Sequence, residues 1–260
     1  MKKLIIVASL LISVFMISCK GQFCSETRVA NLTVGEGFVN PIGYSLEDLS
    51  FSWQMQSSKA GAKQSAYRIR VATSPEKLNT PDVWDSGKVV SSDSVAVAYK
   101  GRNIKSREKL WWDVIVWDEN GKELEPSSVA SFEAGLLDNS EWKGKWITAE
   151  FEPNVYREVN FSHLKSSKLY PFYSPVYLRK DFSAKGKEIK SARLYMTARG
   201  VYVAYLNGKK LGNDFLSPGW TDYNKRIQTT TYDVSNLISK NNNTLGAIIA
   251  DGWYAGRLGW

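Results

Sequence analysis

Apolar and polar residues alternate with period two along short stretches of this chain, and turn residues punctuate the stretches. Seven such runs fall at 29–34, 49–55, 67–72, 83–90, 95–99, 110–118 and 129–134. That spacing predicts a β-sandwich of the fibronectin type III kind. In Y-R-I-R-V-A, residues 67–72, the aromatic and aliphatic side chains take one face while Arg68 and Arg70 take the other. The run W-W-D-V-I-V-W-D at 111–118 is apolar on both faces, with Trp112, Val114 and Val116 opposite Trp111, Ile115 and Trp117. Such a strand belongs in the middle of a sheet. The Asn120-Gly121 pair that follows it predicts a hairpin turn.

A polar, glycine-containing stretch at 136–146 marks a boundary. Residues 150–174, rich in Tyr, Ser, Lys and Asn, read as a long loop or insertion. Strand patterns resume at 176–182, 192–198, 201–206, 226–232 and 244–250, with a hairpin at Asn207-Gly208 and one helical turn near 233–238, capped by Asp233 or Ser235. Strands with long loops and one minor helix predict a jelly-roll-like β-sandwich. The fold class is therefore all-β, with units expected at 28–136 and 141–260 and the second sandwich incomplete at its C-terminus.

Charge and cysteine content narrow the function. The formal net charge is +8, and removing Lys2 and Lys3 leaves about +6. The cations are scattered and form no run that tracks a phosphate backbone, so no nucleic-acid partner is expected. Ten tryptophans and thirteen tyrosines suit either sugar stacking or strand formation. Lys2, Lys3 and the apolar run 4–17 lead into M-I-S-C, a pattern similar to a bacterial lipoprotein signal. Residues 1–18 are expected to be removed, Cys19 to carry lipid and residues 19–27 to form a tether, which implies an exported protein anchored to a bacterial membrane. An ordinary secretory signal would also export it. Cys24 is the one other cysteine and His163 the one histidine, so neither a disulfide framework nor a cysteine–histidine nucleophile is expected.

Several word-like motifs carry a resemblance. N-P-I-G at 40–43, F-S-W at 51–53, Q-S-A-Y-R-I at 64–69, W-D-S-G-K-V at 84–89 and F-E-A-G-L-L-D-N-S-E-W-K-G-K-W-I at 132–147 resemble the first module of bacterial α-L-rhamnosidases. S-P-V-Y-L-R-K-D-F at 174–182, A-R-L-Y-M-T-A-R-G-V-Y at 192–202, L-N-G-K-K-L-G at 206–212, P-G-W-T-D-Y at 218–223, T-Y-D-V at 231–234 and D-G-W-Y-A-G-R-L-G-W at 251–260 are similar to the family's N-terminal domain. The resemblance implies a glycoside hydrolase acting on terminal α-L-rhamnose, whose catalytic carboxylates lie on an (α/α)6 barrel. Such hydrolysis needs two carboxyl groups about 5–5.5 Å or ~6.5–9.5 Å apart across the scissile bond. No residue here matches those positions, so the chain is expected to be the non-catalytic N-terminal portion, with catalytic domains of the same enzyme as partners.

The resemblance also implies a rhamnose-containing glycan as ligand, because in some relatives this sandwich binds rhamnose through calcium. Oxygen donors of the right type for calcium are Asn207, Asp214, Asp222 and Asp251, with Asn213 nearby. Trp220, Tyr223, Trp253 and Tyr254 could stack on a sugar, and Arg226 and Arg257 could donate to its hydroxyls. The alternative for the same residues is packing and turn formation. A free-standing surface carbohydrate-binding lipoprotein and a structural spacer stay open beside the rhamnosidase reading. Trp260 is expected to be interior to a longer fold.

Overall fold

In the computed structural model, residues 27–125, 128–148, 155–161, 166–186 and 188–255 are described. Cys19, Cys24, His163, Arg257 and Trp260 lie outside them, as does the signal segment. Two β-sandwiches follow one another along the chain.

The first unit holds β1 (Arg28–Val34), β2 (Ile42–Tyr44), β3 (Ser50–Gln56), β4 (Gln64–Ala72), β5 (Trp84–Asp85), β6 (Val97–Ala98), β7 (Lys109–Asp118), β8 (Glu123–Leu124) and β9 (Ala130–Ala134). They form a three-stranded sheet in the order β1-β3-β6, packed on a sheet in the order β2-β9-β7-β4-β5, to which β8 adds by pairing with β7. As its two-faced pattern predicts, β7 is central. Trp112, Val114 and Val116 are fully buried between the sheets, while Ile115 and Trp117 are covered on the outer face. Phe51 from the facing sheet sets its ring 4.4 Å from that of Trp112. Dispersion and apolar burial at this contact fix how the sheets register.

The turn after β7 closes as its Asn-Gly pair dictates. Gly121 adopts a positive φ of 77°, and its amide donates to the Asp118 carbonyl at 3.0 Å. The short β2, which the alternation does not reveal, runs parallel to β9. The run expected at 83–90 contracts to β5 and an isolated bridge between Tyr67 and Val89.

The residues 150–174, expected as a loop, instead contain two strands, β10 (Val155–Phe161) and β11 (Ser166–Phe172), paired antiparallel. They join no other sheet among the described residues, and Tyr156 and Glu158 are exposed.

The second sandwich consists of β12 (Val176–Ser183), β13 (Arg193–Met196), β14 (Val201–Leu206), β15 (Lys209–Lys210), β16 (Thr230–Asp233), β17 (Asn242–Ala250) and the single turn α1 (Gly252–Ala255). A four-stranded sheet in the order β12-β17-β14-β15 faces the two-stranded β13-β16. The β14-β15 hairpin turns on Asn207 and Gly208, both at positive φ, as that residue pair predicts. Residues 233–238 make a hydrogen-bonded turn, with the Asp233 carboxylate accepting from the Ser235 amide at 3.0 Å, and no regular helix. Tyr202, Ala204 and Leu206 of β14 pack against Tyr232, Leu194 and Met196.

Candidate functional site

The two sandwiches meet through a charged contact that neither sequence pattern reveals. Glu133 of β9 is 4% exposed, and its two carboxylate oxygens accept from Nε and Nη2 of Arg193 on β13, both at 2.7 Å. A fork-to-fork pair of this kind fixes orientation as well as distance. The third guanidinium nitrogen reaches Asp233 of β16 at 2.8 Å. Arg193 is held above its ordinary pKa first by its hydrogen bonds to Glu133, with burial opposing. Beside this triad, Gly43 of β2 lies against Thr231 so closely that any Cβ on it would collide with the threonine side chain.

A groove of about 1650 Å³ opens next to the triad. Its floor is the inner face of β12 and β17, with Val176, Leu178, Leu245, Ala247 and Ile249, and one wall is the connecting segment at Trp142 and Trp146. Arg199 bridges this wall to the C-terminal turn. Its guanidinium lies 5.3 Å from the Trp146 ring and 5.5 Å from the Tyr254 ring, and it donates to Tyr254 Oη at 3.3 Å. Tyr254 in turn meets Tyr223 edge to face at 5.4 Å.

The residues singled out in the sequence divide between the two ends of the second sandwich. Tyr223 and Tyr254 do come together, with Asp251 and the half-buried Trp253 on the same end of the sheet. Trp220 projects from the adjoining loop and is 62% exposed. Asn207 sits at the far end of β14, where its side-chain carbonyl accepts from the Thr244 amide at 2.8 Å and its amide donates to the Leu237 carbonyl and to Asn243. Six strand residues at ~3.3 Å each separate it from the end that carries Asp251.

Asp222 is spent on its own turn, accepting from the Asn224 amide at 3.2 Å and pairing with Lys225 at 3.3 Å. Asp214 is exposed and lines a separate cleft of about 300 Å³, with Lys210 and Thr230. The proposed calcium donors Asn207, Asp214, Asp222 and Asp251 therefore do not form one coordination set. No group of three or more metal-ligating side chains occurs among the described residues. The sequence marks oxygen donors by type, but Asn207 follows β14 and Asp251 follows its antiparallel partner β17, which puts them at opposite ends of the pair.

Three of the four carboxylates along the groove, Glu133, Glu141 and Asp233, are engaged. Glu133 and Asp233 hold Arg193, while Glu141 accepts from the Ser106 hydroxyl and closes a capping box with Asp138. Glu141 lies below its ordinary pKa, chiefly through the Ser106 hydrogen bond. The arrangement holds the two sandwiches together. Arg193, Arg199 and Trp146 were not singled out in the sequence, although they fall inside the motifs A-R-L-Y-M-T-A-R-G and W-K-G-K-W.

Comparison with known proteins agrees with this architecture. The Rha78A-like N-terminal immunoglobulin domain matches residues 29–138, and the α-L-rhamnosidase N-terminal domain matches residues 187–260. An α-L-rhamnosidase from Alteromonas sp. strain LOR is 48% identical over 94% of this chain, and one from Formosa agariphila is 41% identical over 94%. The chain spans 26% of the length of each of these relatives. Among solved structures, the α-L-rhamnosidase from Dictyoglumus thermophilum superposes with a TM-score of 0.75 at 35% identity, covering 87% of this chain and 25% of that one. The Streptomyces avermitilis α-L-rhamnosidase complexed with L-rhamnose superposes with a TM-score of 0.77 at 28% identity, covering 90% of this chain and 37% of that one. The two domain matches, in this order, with relatives aligned over 94% of the chain, show that it corresponds to the N-terminal region of α-L-rhamnosidases.

Proposed function

We propose that this chain serves as the non-catalytic N-terminal portion of an α-L-rhamnosidase, a two-sandwich scaffold for an enzyme that hydrolyses terminal α-L-rhamnose from glycans or glycosides. The observation that carries the reading is the match of both domains to about a quarter of enzymes of that name. The fork-to-fork contact between the sandwiches supports a scaffolding role, because it holds the two units in one orientation. Incubated with an aryl α-L-rhamnoside, the purified 260-residue chain is expected to release no aryl alcohol above background. Turnover that survives dialysis against a chelator would overturn the assignment.

Carbohydrate binding as the chain's own role rests on one observation, the exposed face of Trp220. Titration with L-rhamnose followed by tryptophan fluorescence is expected to show no saturable change. A saturable change lost on Trp220→Ala would favour the binding reading instead.

We also propose that the protein is exported and lipid-anchored at Cys19, on the strength of the M-I-S-C sequence after an apolar run. Metabolic labelling with a palmitate analogue is expected to tag the wild type and not Cys19→Ala. Equal labelling of both would remove the anchor from the reading.

A further inference from the structure

Cations that lie scattered along the sequence are gathered by the fold. The loop between β6 and β7 carries Lys100, Arg102, Lys105 and Arg107, and Lys109 follows on β7, with Glu108 as the one acid among them. Glu108 is taken up inside the loop, accepting from the Arg102 guanidinium at 3.1 Å and from the Lys105 amide at 2.9 Å. The connecting segment then docks on the same loop. Ser106 Oγ accepts from the Leu137 amide at 3.0 Å, and Glu141 pairs with Arg107 at 3.5 Å. This docking brings Lys143 and Lys145 to the wall of the groove that Arg107 and Lys109 also line. Around the groove, nine lysines and arginines meet four carboxylates, three of them already spent on Arg193 or on the turn at Glu141. Lys109, Lys143 and Lys145 are exposed and make no ion pair among the described residues. Like charges held together in this way raise the local potential and attract a polyanion.

Two further features say what kind of polyanion. Trp111, Trp142 and Trp146 are interleaved with these cations, and Lys109 Nζ lies 5.2 Å from the Trp111 ring. An aromatic face beside an unpaired ammonium suits a sugar that carries an acid group, because the ring stacks while the anion meets the charge. The Tyr195 hydroxyl, close enough to Arg107 and Glu141 to feel their charge, is buried and has no hydrogen-bond partner among the described residues, which adds a donor. A membrane surface fits worse. The chain enters the first unit at Arg28, opposite Gln56, whereas the basic loop leaves β6 at Ala98, opposite Ser50. Six residue steps of β3 put these ends about 20 Å apart, so the wall faces away from the expected anchor.

We propose that this wall holds an anionic polysaccharide, one bearing uronate or sulfate groups, through Lys109, Lys143 and Lys145. The site lies apart from Trp220, and its affinity comes from charge, so a neutral sugar is not held there. The binding is a property of this chain itself and does not depend on the rhamnosidase reading.

The test is isothermal titration of the 260-residue chain with polygalacturonate and with dextran sulfate, beside neutral dextran. Saturable binding to a polyanion and none to dextran is expected, weakening about tenfold or more as salt rises from about 0.05 to 0.5 M. Lys109→Gln, Lys143→Gln and Lys145→Gln together are expected to weaken it about tenfold. Lys63→Gln, Lys122→Gln and Lys240→Gln together remove the same net charge elsewhere and are expected to change it by less than about twofold. Should the first triple fail to fold, Lys145→Gln alone, on an exposed side chain, is expected to weaken binding about two- to threefold.

Binding to polygalacturonate supports the site with a carboxylate as its anion, and binding to dextran sulfate alone supports it with a sulfate. Equal loss in the two triples would overturn the proposal, leaving general attraction to a chain of net charge +8. Binding to neither polymer, or to dextran as well as to the polyanions, would overturn it too. If only phosphatidylglycerol vesicles bind, the wall belongs to a membrane and the proposal falls. None of these outcomes bears on the rhamnosidase reading, which the aryl α-L-rhamnoside assay tests separately.

Discussion

Arg193 shows how much one side chain can hold in this molecule. Its side chain is 14% exposed, and it meets Glu133 with two charge-assisted hydrogen bonds and Asp233 with a third contact. Removing the guanidinium strands a carboxylate that is already out of water. Breaking a buried pair from one side costs about 3–5 kcal/mol. Arg193→Ala is therefore expected to lower the stability of the joined sandwiches by that order and to split calorimetric melting into two transitions. Replacing both partners, as in Glu133→Leu with Arg193→Met, is expected to recover most of the loss, since no buried charge is then left unpaired and Asp233 is half exposed to water. An unsplit transition in Arg193→Ala would show that the pair does not couple the units. Nothing about Arg193 in its own strand distinguishes it from Arg179, whose 3.2 Å pair with Asp181 lies in the open and is worth little.

Among the elements, the central strand was legible and the short interface strand was not. β7 carries its instructions locally, because both of its faces are buried and its ten residues state this outright. β2 is three residues long, and its position against β9 and β16 depends on elements far along the chain. Gly43 is the residue that makes this position possible. It has a φ of +72°, where a side chain is disfavoured, and no room for a Cβ beside Thr231. Gly43→Val is expected to cost about 1–3 kcal/mol from backbone strain alone. It should also push β2 away from β16, so that a denaturant melt shows a lower midpoint, and Thr231→Gly is expected to recover only the steric part. An unchanged midpoint would mean that β2 does not seat the second sandwich. The β10-β11 ribbon, expected as loop, escaped although its pairing is local, because its Tyr-, Ser-, Lys- and Asn-rich residues carry no clear alternation.

At the scale of the whole molecule, the stability of the second sandwich should depend on pH. Burial pushes Asp233 up, but the Ser235 hydroxyl and amide, with the Arg193 guanidinium, pull it down further, and it lies below the ordinary carboxylate value. A group whose folded pKa is depressed gives stability above its unfolded pKa, near 3.9 for aspartate, and loses it as pH falls through the folded value. The stability of the second sandwich is expected to be flat above about pH 5 and to decline below about pH 4. Differential scanning calorimetry between pH 7 and pH 3 checks this, and Asp233→Asn is expected to flatten the acid limb. The amino-acid sequence by itself determined both sandwiches, the Asn-Gly hairpins and the kinship with α-L-rhamnosidases, because alternation, turn chemistry and motif order are written in neighbouring residues. Only the tertiary structure decided that Glu133 and Arg193, sixty positions apart, form the contact between the units. It alone separated Asn207 from Asp251 and left the floor of β12 and β17 open. The physical reason is that local pattern fixes which face of a strand is apolar, whereas what that face meets is settled by how sheets pack across long separations.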